Sequence, residues 1–344
     1  MRSRTIFVLL ALVIAACGGS AAEETPESLT LVSHNSFADG VTEETFAPFT
    51  DDTGIVVEVV GAGDAGSMVN QVILSKDNPF ADVVFGVDDT FLSRALEEEI
   101  FAPHTAIGVE SVPEGFTDAE HRVTPIDFGD VCVNYDKEWF EANDAEVPSG
   151  LEDLTVMAAQ LTVEHPATSS PGLAFLLSTI EEYGEEGWAD YWSRLRDGGV
   201  TVAADWDTAY YSEFTRYGGD SPLVVSYASS PPAEVIFAEE PTDTAPTGVV
   251  EGGCYRQVEY AGILAGTQYP EAAGQLVDYM LSVEFQEQIP LSWFVFPVNP
   301  DATLPPEFVD HTVIPQGPAR LSPELIAESR EVWIDRWIEV MEQR

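Results

Sequence analysis

From Leu29 onward, short runs of apolar and β-branched residues alternate with longer stretches whose apolar residues recur at helical spacing, and that alternation admits few folds. Residues 29–32, 56–60 and 83–87 read as strands. Between the first two, residues 42–49 place Phe46 and Phe49 on one helical face, and residues 68–74 and 91–98 are further helical patterns. Strand and helix in strict alternation indicate βαβ units on a mostly parallel sheet. After the turn-rich Asp127-Phe128-Gly129-Asp130, a strand at 131–135 opens a second round, with helices at 172–183 and 188–196 and a strand at 223–227. Residues 249–259 are extended again and lead the chain back to helical patterns at 270–281 and 283–289 and an apolar run at 294–298. The last helix, 323–342, starts on a proline and sets Ile326, Trp333, Trp337 and Met341 near helical spacing, so both tryptophans are expected in the core.

The 316 residues from 29 to 344 exceed what one hydrophobic core usually serves, so two lobes are expected. The chain crosses between them near Val131 and Cys254. That assigns 29–129 and 257–321 to a discontinuous first lobe, 130–256 to a second, and 322–344 to a C-terminal helix.

Arg2 and Arg4 precede the apolar run from Ile6 to Ile14, which is too short to cross a bilayer as a mature helix and reads as an export signal. Ile14-Ala15-Ala16-Cys17 resembles the bacterial lipobox. Residues 1–17 are therefore expected to be a signal peptide ending at a lipidated Cys17, with 18–28 as a flexible tether. The alternative is a plain signal peptide with an incidental cysteine. Either reading places the protein outside the cytoplasm, in the periplasm or at the cell surface, touching the membrane only through the anchor. Net charge is −46, and loss of the two arginines makes it −48, with Lys76 and Lys137 as the only lysines. Such a surface excludes nucleic acid and charge-driven binding to anionic lipid. A salt-adapted source is the bland explanation, ahead of a functional acidic field. Cys132 and Cys254 remain, able to pair in an oxidising compartment or to stay as two buried thiols, and neither lies in a zinc-ligand spacing.

Three loops carry polar groups where open α/β sheets place their ligands. Gly61-Ala62-Gly63-Asp64-Ala65-Gly66 lies between a strand and a helix and formally matches a dinucleotide pattern. Alone it signifies a tight turn whose N–H groups can approach a ligand. Thr168-Ser169-Ser170-Pro171-Gly172 precedes a long apolar helix, and Ser226-Tyr227-Ala228-Ser229-Ser230-Pro231 repeats the same chemistry after a strand. Trp206, Tyr210, Tyr211 and Tyr227 place ring faces near these loops, suited to an organic cation. No Gly-x-Ser-x-Gly elbow, zinc-protease motif or calcium loop is present. A hydrolase assembled from a distant Ser and His is the reading from another class.

These stretches, together with Val32-Ser33-His34-Asn35-Ser36-Phe37, residues 81–88, Ala209-Tyr210, Phe285-Gln286 and Ile289-Pro290, resemble the thiamine-binding proteins of bacterial thiamine ABC transporters over essentially the whole mature chain. The resemblance implies an α/β, two-lobe fold of the periplasmic-binding-protein type II architecture. It implies no catalysis, cofactor or metal. The expected ligand is thiamine, its monophosphate or its diphosphate, the expected partner a membrane permease, and the expected state a monomer. Asp64 and Ala65 stand as first-lobe contacts, Ser169 and Ser170 as helix-start contacts, and Trp206 with Tyr210 as an aromatic wall. Tyr227, Ala228, Ser229 and Ser230 form the second-lobe loop. The family often has an acidic residue where His34-Asn35 stands, and some members carry an aromatic where this chain has Pro232-Ala233. A polyamine or a metal ion is the competing solute.

Overall fold

The computed structural model describes residues 25–238, 240 and 242–343; the expected signal peptide, Cys17 and most of the expected tether lie outside them. Ten strands form one sheet: β1 Ser28–Ser33, β2 Val56–Gly61, β3 Val83–Asp88, β4 Phe101–Ala102, β5 Thr124–Asp136, β6 Leu161–Glu164, β7 Thr201–Ala203, β8 Leu223–Tyr227, β9 Thr247–Leu264 and β10 Phe296–Pro297. Their order is β2-β1-β3-β9-β5-β8-β6-β7, with β4 paired to β9 and β10 to β5.

The expectation of a mostly parallel sheet is corrected. β1 pairs β2 and β3 in parallel at one end, and β6 pairs β7 and β8 in parallel at the other. The centre is antiparallel, because β5 and β9 run between the two ends and pair with each other, with β3 and with β8. Sequence alternation finds the parallel ends but gives no sign of two long returning strands.

The junction lies where β5 and β9 lose register. Val131 faces Tyr255 and Val133 faces Val250, so residues 251–254 of β9 bulge out against a single residue of β5. Gly253 takes φ 92 in that bulge, a backbone state that glycine adopts without strain. Cys254 follows it and is disulfide-bonded to Cys132, tying the bulge to the facing strand. Beside the bond, Arg256 holds Asp130 through two 2.8 Å hydrogen bonds across the same pair of strands.

Three predicted elements are moved. The helix expected at 42–49 forms instead as Ala47–Thr53, because Pro48 suits a first turn, and Thr42 and Thr45 close the preceding loop through a 3.0 Å N–H to Oγ bond. Phe46 and Phe49 are still buried. Helix 283–289 stops at Gln286 and restarts as Ile289–Ser292 around Pro290. The apolar run 294–298 pairs only at Phe296 and Pro297. By contrast, the helix Ser170–Gly198 breaks at Gly184, where φ is 67, giving the two expected segments.

Helix Pro323–Glu342 buries Ile326, Trp333 and Trp337 as expected. It lies across both ends of the sheet's helical cover. Arg330 sits 5.3 Å from the Phe91 ring centroid on one side, while Trp337 packs edge-on against His165 and Trp192 on the other. Among the described residues no helix is long and apolar enough to cross a membrane.

Candidate functional site

A cavity of about 360 Å³ opens between the two halves of the sheet. The strand ends and the loops after them build it, as expected of an open α/β sheet. Several contacts join the halves around it. The Trp206 N–H donates to Asp64 Oδ2 at 3.2 Å, the Gly66 N–H donates to the Thr168 carbonyl at 3.1 Å, the Ser170 hydroxyl donates to Asp88, and Phe237 meets Phe294 edge to face at 5.6 Å. Gly66 is required there, since a Cβ would lie 2.7 Å from the Phe91 ring and 2.8 Å from the Thr168 carbonyl oxygen. Phe294 takes φ 57, a state uncommon for a non-glycine residue and one that marks functional sites.

The second half supplies a wall of rings. Trp206 stacks on Tyr210 with centroids 5.0 Å apart, Tyr211 packs edgewise against both, and Tyr217 lies tilted against Tyr210 and edge-on to Tyr211. The polar tips of Trp206, Tyr210 and Tyr217 are bonded within the protein. The Trp206 Nε1–H donates to Ser226 Oγ at 3.0 Å, and the Tyr210 and Tyr217 hydroxyls both donate to Glu234 at 2.8 and 2.9 Å. Tyr227 donates to Gln257 Oε1 at 3.1 Å. Ring faces are thereby left as the surface available to a ligand.

The first half supplies charge. His34, Asp39, Asp64 and Glu259 line it, with Phe37 stacked on Trp293 at 4.7 Å beneath. His34 Nε2 lies 3.5 Å from Glu259. Its ring rests over Gly86, where a Cβ would come within 2.3 Å. Burial opposes a charge on His34, but the negative field of Glu259, Asp64 and Asp88 outweighs it and raises the pKa above the ordinary value. Asp64 is raised by burial, partly offset by the bond from the Ala65 N–H. Behind the wall, burial pushes Asp88 to about 6 and Asp89 to about 8. Asp127 and Glu164 also rise well above the usual carboxylate range, by burial first.

Of the residues singled out in the sequence, Asp64, Ala65, Ser170, Trp206, Tyr210, Tyr227 and Ser230 meet at this cavity. Three do not. Ser169 is fully buried beside Asp64, behind the helix start. Ala228 faces the Cys132–Cys254 cluster, and its carbonyl accepts from the Val313 N–H at 3.1 Å. Ser229 is buried as well, so the second-lobe loop reaches the cavity only through its ends, Tyr227 and Ser230. Sequence reasoning missed Glu259, Glu234 and Trp293. In a chain with 60 acidic residues nothing local marks two carboxylates, whereas Trp293 beside Phe294 is an aromatic pair that invites inspection.

A model of the bacterial extracellular solute-binding protein family matches residues 78–317. The thiamine-binding periplasmic protein of Escherichia coli (strain K12) is 31% identical over 314 residues, 90% of this chain and 92% of that one. Its counterpart in Brucella suis biovar 1 is 28% identical over 344 residues, 97% of this chain and 98% of that one. A solved periplasmic thiamin binding protein superposes with a TM-score of 0.82 at 28% identity, covering 92% of this chain and 96% of that one. Iron-bound HitA from Pseudomonas aeruginosa shares the fold at a TM-score of 0.72 and 19% identity, over 92% of this chain and 99% of that one. The type II periplasmic-binding architecture expected from the sequence is thus the one observed.

Proposed function

The chain belongs to the bacterial extracellular solute-binding protein family and serves as the substrate-binding component of an ABC importer; we propose that its cargo is thiamine, as the free cation or a phosphate ester. The observation that carries this reading is the pairing of a tip-satisfied ring wall with facing carboxylates in one cavity. Each ring face attracts a desolvated organic cation by about 0.5 to 2 kcal/mol. A cavity of about 360 Å³ is within the range of small-molecule sites.

No bond is made or broken in this scheme. The lobes close on the ligand by bending where β5 and β9 lose register, and the closed surface is presented to a membrane permease. The protein acts as a monomer, held outside the cytoplasm by a lipid on Cys17. The disulfide at the junction limits hinge travel without touching the cavity.

A linear polyamine is the second reading, favoured by the carboxylates of the lining. It has no use for a stacked Trp206–Tyr210 face, which suits a flat aromatic cation. Titration calorimetry on ligand-stripped protein separates the two. Tight one-to-one heat with a thiamine compound and none with spermidine is expected, and the reverse result overturns the proposal.

A further inference from the structure

The strand pairing that brings Glu259 to the cavity also aligns it with two further acids. Glu259 of β9 faces Asp88 of β3 on one side and Asp127 of β5 on the other, so three acidic residues stand abreast across three neighbouring strands. Like charges directly opposite on paired strands repel, and buried carboxyls in contact cannot all ionise. Of the three, Glu259 alone lines the cavity.

Their surroundings differ. Asp88 accepts from the Ser170 hydroxyl, the Thr90 hydroxyl and the Thr90 N–H, donors that suit a carboxylate. Glu259 has His34 Nε2 3.5 Å away. Asp127 is fully buried, and its Oδ1 has no donor among the described residues. The Asp127 carboxyl meets one hydrogen-bonding neighbour, the Glu259 carboxyl, and two acids in that contact need a proton between them. Around the pair stand His34 after β1, Asp64 at the start of helix Ala65–Leu74, Asp88 on β3 and Tyr227 on β8. β10 meets Asp127 through Pro297, which adds no charge, and Arg256 of β9 is engaged by Asp130. His34 is thus the one cationic group facing the pair among the described residues, and it lies against Glu259. Burial first, and then the charge of Glu259, raise the Asp127 carboxyl well above the usual range, in keeping with that geometry.

We infer that Asp127 is a positioning residue for cargo capture: as the neutral acid it donates its proton to the Glu259 carboxylate and holds that one charge at the cavity, beside His34. The step rests on the cationic cargo read above. An O–H donor to a carboxylate makes a charge-assisted bond, about twice as strong as a neutral one. The second acid therefore adds an orienting bond behind the lining without adding a second charge.

Infrared spectroscopy of the unliganded protein reads this proton without any ligand. The carboxylic-acid carbonyl band should lose one component in Asp127→Asn and keep it in Glu259→Gln. Asp89 and Glu164, also raised by burial, contribute to the band in every variant and cancel in the difference. Persistence of the component in Asp127→Asn, or its loss in Glu259→Gln, overturns the inference. Calorimetry then tests the role. Thiamine affinity should stay within about twofold in Asp127→Asn, whose amide still donates, and fall about tenfold in Asp127→Leu, which has no donor. A neutral analogue, with carbon in place of the thiazolium nitrogen, should bind both variants as it binds wild type. Equal losses for cation and analogue overturn the positioning role. If Asp127→Leu does not fold, the infrared pair decides. Failure of folded, ligand-stripped wild type to bind thiamine overturns the thiamine reading, while the infrared assignment stands or falls by itself.

Discussion

The two walls of the cavity solve different problems. On the second-half wall, Trp206, Tyr210, Tyr217 and Tyr227 each bond their polar tip to the protein and offer rings. On the first-half wall, Asp64 and His34 are half-buried groups with displaced titration, and Glu259 draws on His34 from beside them. The ring wall is insensitive to pH and recognises a flat, polarisable shape. The charged wall recognises the sign of the ligand and is sensitive to pH. Division of labour of this kind lets a chain of −46 net charge be selective, since its overall acidity alone would favour any cation.

The largest expected effect falls on the strands both walls share. Replacing Cys132 and Cys254 by serine removes a link across 122 residues of chain. Loop-closure entropy puts the loss at about 5 kcal/mol, read as a lower thermal midpoint. Thiamine affinity of the folded protein should stay constant, because neither wall contains the bond. A changed affinity would mean that the junction shapes the site.

Trp206→Ala strikes the ring wall itself. It removes the stacked face and leaves Ser226 without its indole donor. About a 30-fold loss of affinity is expected, or about 2 kcal/mol, and Trp206→Phe should recover part of it. Glu259→Gln tests the opposite wall at smaller scale. A loss of about tenfold is expected with a cationic ligand. Because Glu259 helps to raise His34, the His34 pKa, followed by NMR, should fall in this variant. If Glu259→Gln and Trp206→Ala lowered affinity for a neutral ligand equally, the two walls would not be distinct.

The smallest effect is a pH dependence with opposite signs for stability and for binding. Asp88 rises from 3.8 to about 6 on folding, and Asp89 from 3.8 to about 8. The folded state therefore holds protons that the unfolded state releases. Each contributes stability that is complete below about pH 4 and is lost as pH rises through about 6 and about 8. Unliganded protein should melt higher at pH 5 than at pH 8. Cation affinity should instead fall toward pH 5, as His34, whose pKa is raised, gains charge beside the ligand. Parallel trends in the two measurements would break the assignment of charge to the first-half wall.

What the sequence made legible follows the range of the interactions concerned. Elements held by local pattern were readable, such as helix Pro323–Glu342 with its proline start and strand β3 with six buried residues. The antiparallel centre was not, because β5 and β9 are defined by partners more than a hundred residues apart. In the cavity lining, Trp206 and Tyr227 are legible because aromatic residues stand out beside Ser-rich loops. Ser229 and Ala228 lie behind the lining, and loop chemistry does not say which side chains turn inward. Glu259 projects from the middle of a long strand, and only three-dimensional pairing brings it opposite the rings.

The central claim is that this cavity recognises a flat ring bearing positive charge. Its most direct test is to titrate ligand-stripped protein with thiamine and with a neutral analogue of the same shape, in which carbon replaces the charged thiazolium nitrogen. At least tenfold tighter binding of the cation is expected, about 1.4 kcal/mol. Equal affinity for the two would contradict it, leaving shape alone to explain the site.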